Sequence, residues 1–180
     1  LTAWGAVFLG IVGTGLAGAL INLLYGGQYR QSAEVFRWLI WMIPLTLWHG
    51  HYRYALIAYG KQRLELIATA CGAGASVVLS LLLVPLRGPI GAAWSLLISE
   101  LVIGIVARHY SRKSIGPLTT WSDVLRPLAA GIVLAAVLYV LPATHLLLLI
   151  GVAISVYVAL LILIQPEVFK YAQTLLSNVR

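Results

Sequence analysis

Within the apolar stretch Trp38–Gly60, WLIWMIPLTLWHGHYRYALIAYG, stand His49, His51 and Arg53, with Tyr52 and Tyr54 around them. Histidine exchanges protons near neutral pH, and arginine holds carboxylate or phosphate with a charge it does not lose. Such groups are costly inside a membrane, where they pair or mark a substrate or ion pathway. On a helix His49 and Arg53 are four apart and share a face, while His51 lies on another. Trp38, Trp41, Leu45, Trp48 and Tyr52 follow steps of three and four along a separate stripe. Glu100 is the acid expected to answer them. At about 1.5 Å per residue from the nearer ends of their runs, Arg53 lies roughly 9 Å in, Glu100 roughly 12 Å and His49 roughly 15 Å.

The candidate substrate-binding residues are therefore Arg53, His49, Arg37 and Trp48, with Glu100 as an ion-pair or coupling residue. Arg30 and Arg37 flank the other end of the stretch, so a pathway here has cations at both mouths and suits an anionic, phosphate-bearing cargo. A plainer reading stands beside this one. Arg53 can snorkel to headgroups, the histidines can be structural, the tryptophans can form an interfacial belt, and Arg30 and Arg37 can be solvated.

Other chemistry finds little support. The sequence has no Walker loop, HExxH, GxSxG or cysteine pair. Its 5 acidic residues leave little for paired-carboxylate catalysis. His49 and His51, two apart, do not converge as metal ligands. Neither an enzyme activity nor a metal or cofactor is expected. The single cysteine, Cys71, lies in an apolar run and reads as inert filling.

These residues must be positioned by membrane helices. Of the 180 residues, 61% are hydrophobic and 9% charged, with mean hydropathy +0.96. A soluble domain is nearer half apolar and about a quarter charged. The expected fold is an all-α polytopic membrane protein of about six transmembrane helices. The net charge of +7 sits mostly in short connections, where topology and lipid headgroups account for it and nucleic acid need not.

In order, the expected spans are about 3–24, 33–59, 64–85 and 89–108, then a connection over 111–126 and a last helix pair over 127–164. Ala6, Gly10, Thr14, Gly18 and Asn22 give the first span a small-residue face, for close packing or for lining a pathway. Ala68, Gly72, Ser76 and Ser80 do the same for the third. Ser32 is a candidate N-cap for the second span, Gly60 its stop, and Pro44 a kink between its aromatic and ionisable portions. Residues 165–180 place Val168, Phe169, Ala172, Leu175, Leu176 and Val179 on one face, as in a helix lying on the membrane. The chain opens on Leu1, almost at the start of a span, and reads as a piece of something longer.

Numbering the connections alternately, Lys61, Arg63, Arg108, Arg112, Lys113, Arg126, Lys170 and Arg180 share one side. Arg30, Arg37 and Arg87 share the other, and Arg53 lies within a span. The bias places the first side, and the C-terminus, in the cytoplasm.

The ordered motifs Leu24-Tyr-Gly-Gly-Gln-Tyr29, Ala58-Tyr-Gly-Lys-Gln-Arg63 and Val84-Pro-Leu-Arg-Gly-Pro-Ile-Gly-Ala-Ala-Trp-Ser-Leu-Leu-Ile-Ser-Glu100 carry a resemblance. The chain resembles the C-terminal half of the polysaccharide or O-antigen flippases of the multidrug/oligosaccharidyl-lipid/polysaccharide exporter superfamily, most clearly over residues 20–110. The resemblance implies a two-lobed protein of 12 to 14 spans, of which this chain is the C-terminal lobe plus a last helix pair. It implies alternating-access movement of undecaprenyl-pyrophosphate-linked oligosaccharide across the inner membrane, with lumen cations on the pyrophosphate. The implied partners are membrane lipid, that polyprenyl-linked substrate and an N-terminal lobe absent from this sequence. The same superfamily offers a peptidoglycan-precursor flippase or a cation-coupled multidrug exporter. Outside it stand a non-transporting membrane scaffold and a membrane-bound glycan enzyme.

Overall fold

The computed structural model describes residues 2–116, 118, 122–140 and 146–164. Among the described residues every regular element is a helix. They are α1 (Thr2–Tyr25), α2 (Arg30–Leu39), α3 (Met42–Ala58), α4 (Gln62–Arg87), α5 (Pro89–Ser114), α6 (Ser122–Val140) and α7 (Leu146–Ile164). Helices α1, α4 and α5 are long and apolar enough to cross a membrane. With 24, 26 and 26 residues they reach past a hydrocarbon core of about 30 Å. Helix suits such a composition, because each segment satisfies its own backbone groups without water. The apolar stretches described in α6 and α7, Leu125–Leu138 and Gly151–Leu163, are shorter.

The stretch expected to form one helix over 33–59 is two. Helix α2 ends at Leu39, Ile40 and Trp41 turn, and α3 begins at Met42. Pro44 is the cause: it has no N–H to give the Ile40 carbonyl, and its ring crowds that oxygen. The Ile43 N–H donates to Ile40 O instead at 3.2 Å, and the Trp41 N–H to Trp38 O at 3.1 Å. These tighter bonds close the bend inside the aromatic portion, between Trp38 and Trp41, rather than between the aromatic and ionisable portions. The start also differs. After a single 3-10 turn, Gly27–Tyr29, α2 opens at Arg30 without a side-chain cap, and Ser32 lies inside its first turn.

Two further boundaries move. Helix α5 continues to Ser114, so the Arg108–Lys113 cluster is helical rather than part of a connection. Pro127 does not open α6 but lies buried inside it. Residues 141–145 of the expected last helix pair and the expected surface helix at 165–180 lie outside the described residues.

Helices α2 and α3 are held between α1 on one side and α5 on the other. Helix α4 packs along α5, while α6 and α7 pack on α1. Two buried clusters result. One joins α1, α6 and α7 through Trp4, Leu134 and Tyr157, and the other joins α3, α4 and α5 through Tyr52, Ala68 and Ala107. The small-residue face of α1 meets the kink: at Gly10 an added Cβ would lie 3.2 Å from the Pro44 ring. Thr14 Oγ1 accepts the Trp41 indole N–H at 3.0 Å. Packing is thus the use the fold makes of this face. The α4 face is used likewise, with Ala68 and Gly72 buried against α5 and Ser80 hydrogen-bonded to Ser95 at 2.8 Å.

Candidate functional site

Helix α3 ends in a reversal set by Gly60. Its φ of +70° is open to glycine at little steric cost. The Gly60 N–H donates to Ile57 O at 3.0 Å and the Lys61 N–H to Leu56 O at 2.7 Å, a Schellman ending. The chain then turns directly into α4, so Arg53 before the turn and Glu65 after it come side by side. Arg53 Nε donates to Glu65 Oε1 at 2.9 Å and Nη2 to the same oxygen at 2.5 Å. Thr69 Oγ1 donates to that oxygen too, at 2.9 Å, and accepts from Arg53 Nη2 at 3.4 Å. Glu65 also sits in the first turn of α4, where a carboxylate is favoured by the helix dipole.

The second pair depends on a close approach of backbones. At Gly104 of α5 an added Cβ would overlap the Trp48 ring and lie 3.2 Å from the His49 Cβ. One turn earlier on α5, Glu100 reaches His49, and His49 Nε2 and Glu100 Oε2 are hydrogen-bonded. His49 is fully buried, and its Nδ1 has no hydrogen-bond partner among the described residues. Glu100 keeps about a fifth of its side-chain surface exposed. Beside both pairs opens a recess of about 300 Å³ lined by His49, His51, Arg53, Tyr54 and Thr46 of α3 and by Thr2 of α1.

No protein-family model, curated protein or solved structure matches the chain. The site's chemistry is therefore read from its own geometry. Four ionisable side chains from three helices form two pairs one turn apart on α3. An incoming phosphate would compete with Glu65 for Arg53, whose Nη1 makes no hydrogen bond among the described residues. An incoming proton or cation would compete with His49 for Glu100.

Of the candidates from sequence, His49, Arg53 and Glu100 come together, and Glu100 meets His49, not Arg53. Trp48 stands at the seam with α5, edge-on to Tyr52 at 5.9 Å between ring centres. Arg37 is elsewhere. It lies exposed on α2, its guanidinium over Gly18 of α1, sixteen residues or roughly 24 Å of helix from Arg53. Arg30 is exposed at the start of the same helix. His51 faces the recess, where its Nε2 is hydrogen-bonded to Thr2 Oγ1 at 3.0 Å.

Sequence reasoning missed Glu65 and Thr69. The signal was present: Gly60 marks a reversal, and Arg53 and Glu65 stand seven residues before it and five after, within an arginine's reach in depth. It also missed a cation–aromatic group at the other end, where Arg87 lies 5.3 Å from the Trp94 ring and Trp38 meets the same ring at 5.2 Å.

Proposed function

We propose that this chain is part of a membrane transporter that flips a pyrophosphate-linked, lipid-anchored oligosaccharide by alternating access. In this reading it is not an enzyme. It supplies about six spans of a two-lobed protein in the cytoplasmic membrane, with the C-terminus in the cytoplasm and an N-terminal lobe completing the cavity. The observation that carries the reading is the placing of Arg53 and His49, each held by a carboxylate, at one recess within an otherwise apolar helix bundle. Arginine recognises pyrophosphate oxygens in pairs, and Glu65 and Thr69 hold its guanidinium in place until an anion competes for it. The order of motifs from Leu24 to Glu100 supports the same reading.

The test is export of lipid-linked glycan by the full-length protein. Arg53→Ala abolishes export while insertion is unchanged, and Arg53→Lys restores little because the planar fork is lost. Normal export by Arg53→Ala removes this residue from the mechanism and the reading with it.

One observation favours a second reading. Glu65 neutralises Arg53, and Glu100 adds a second carboxylate close by. Two acids in one lobe suit a cation-coupled exporter of cationic compounds. Drug accumulation that depends on Glu65 and Glu100, without effect on glycan export, would select it.

A further inference from the structure

A second recess, of about 590 Å³, lies between α3 and the last turns of α5 and is lined by neither ion pair. It is lined by Trp48, Ile105, Arg108, His109, Arg112 and Lys113. Residues 105, 108, 109 and 112 share one face of α5, and Lys113 borders it. The lining is divided by chemistry along the helix. Trp48 and the strongly exposed Ile105 form the end nearer the middle of the span. Arg108, His109, Arg112 and Lys113 form the end at the helix terminus, and among the described residues no carboxylate lines the recess.

Cations near a helix C-terminus are favoured by the helix dipole alone. The dipole does not call for a concavity, nor for an apolar floor running from it toward the membrane interior. Arg112 and Lys113, side by side, also repel each other, and a bound anion relieves that repulsion. A ligand that fits has a phosphate at one end and hydrocarbon at the other.

We propose that this recess binds an anionic phospholipid of the adjacent leaflet. Its phosphodiester lies against Arg112 and Lys113 beside Arg108, and an acyl chain lies along Ile105 and Trp48. The site shares no lining residue with the His49 and Arg53 recess and does not depend on the transport reading.

The test uses the purified full-length protein and native mass spectrometry with phosphatidylglycerol or phosphatidylcholine. The wild type retains phosphatidylglycerol preferentially. The double variant Arg112→Gln/Lys113→Gln retains it about thirty-fold less, a factor of roughly five for each basic residue at an anionic surface. Arg30→Gln/Arg37→Gln removes the same charge elsewhere and changes little. Ile105→Ser keeps every charge and lowers retention of the long-chain lipid but not of a six-carbon-chain analogue, which tests the apolar end even where the charge variant fails to fold. Equal retention of the two headgroups overturns the proposal. So do equal losses in the two double variants, displacement of phosphatidylglycerol by millimolar inorganic pyrophosphate, or an Ile105→Ser variant without chain-length dependence.

Discussion

Two seams between helices solve the same packing problem with different materials. Where α1 meets α6 and α7, the core is Trp4, Ala130, Leu134, Ala153 and Tyr157, with Phe8 and Ile11 against it. No ionisable pair joins these helices among the described residues. Where α3 meets α4 and α5, the small core of Tyr52, Ala68 and Ala107 is accompanied by His49–Glu100 and Arg53–Glu65. Helices in lipid associate through close packing, small residues and hydrogen bonds, and the described core of the first seam is mostly hydrocarbon, with the Tyr157 hydroxyl on the Trp4 carbonyl. The second seam already has close approach at Gly72 and Gly104. Its ion pairs are therefore additional to what packing needs, and desolvating them opposes stability.

The comparison is broken most directly in the apolar seam. Trp4 is 3% exposed, with its ring 5.5 Å from that of Tyr157. Trp4→Ala should lower stability by about 3–5 kcal/mol, read as a shift in unfolding of the detergent-solubilised protein. Export per inserted molecule should be unchanged. A transport defect without a stability defect would give this seam the role assigned to the other.

Next in size is the close approach in the polar seam. A side chain at Gly72 would overlap Ile103 and lie 3.1 Å from the Ser99 carbonyl, which is backbone and cannot rotate away. Gly72→Val should destabilise by about 1–3 kcal/mol. An unchanged unfolding midpoint would mean that the close approach at Gly72 does not limit how α4 packs on α5.

The ion pairs themselves are tested by removing one partner and then both. His49→Met leaves Glu100 without its partner on a partly buried carboxylate and should destabilise by roughly 1–3 kcal/mol. His49→Met/Glu100→Met should recover most of that loss, since a buried pair replaced by apolar groups of similar size is often neutral or better. Glycan export should remain lost in both. Recovery of export in the double variant would make the pair a packing device.

How much of this was legible in the sequence follows from the kind of information each feature needs. The helical class and the three long apolar helices α1, α4 and α5 follow from composition and length alone. The Gly60 ending and the small faces of α1 and α4 follow from local residue types. The Pro44 bend was expected but misplaced, because proline acts on the carbonyl four residues earlier and the chain yields at Ile40–Trp41. Depth alone set Glu100 between His49 and Arg53, and depth does not say which of the two helix faces is nearer. Glu65 wins Arg53 because the Gly60 reversal makes α4 the immediate neighbour, while Gly104 lets α5 close on His49. The boundaries at Ser114 and Ser122 were missed for a different reason: charged and polar residues continue a helix beyond its apolar part without any change of period.

The smallest expected effect is also the sharpest test of the contrast between the seams. The Tyr157 hydroxyl donates to the Trp4 carbonyl at 2.8 Å, a polar link within the apolar cluster. That carbonyl lies inside α1, where the N–H four residues on is its ordinary donor, so it does not depend on the tyrosine. Tyr157→Phe keeps the ring contacts with Trp4 and Phe8, at 5.5 and 5.1 Å between centres, and deletes only the hydroxyl. The loss should be about 1 kcal/mol, well below that of Trp4→Ala in the same unfolding measurement. A loss as large as that of the tryptophan would mean that the hydroxyl, and not the hydrocarbon, fixes α7 on α1. The two seams would then differ only in the number of their polar links, and the ion pairs of α3 could no longer be set apart from the machinery of folding.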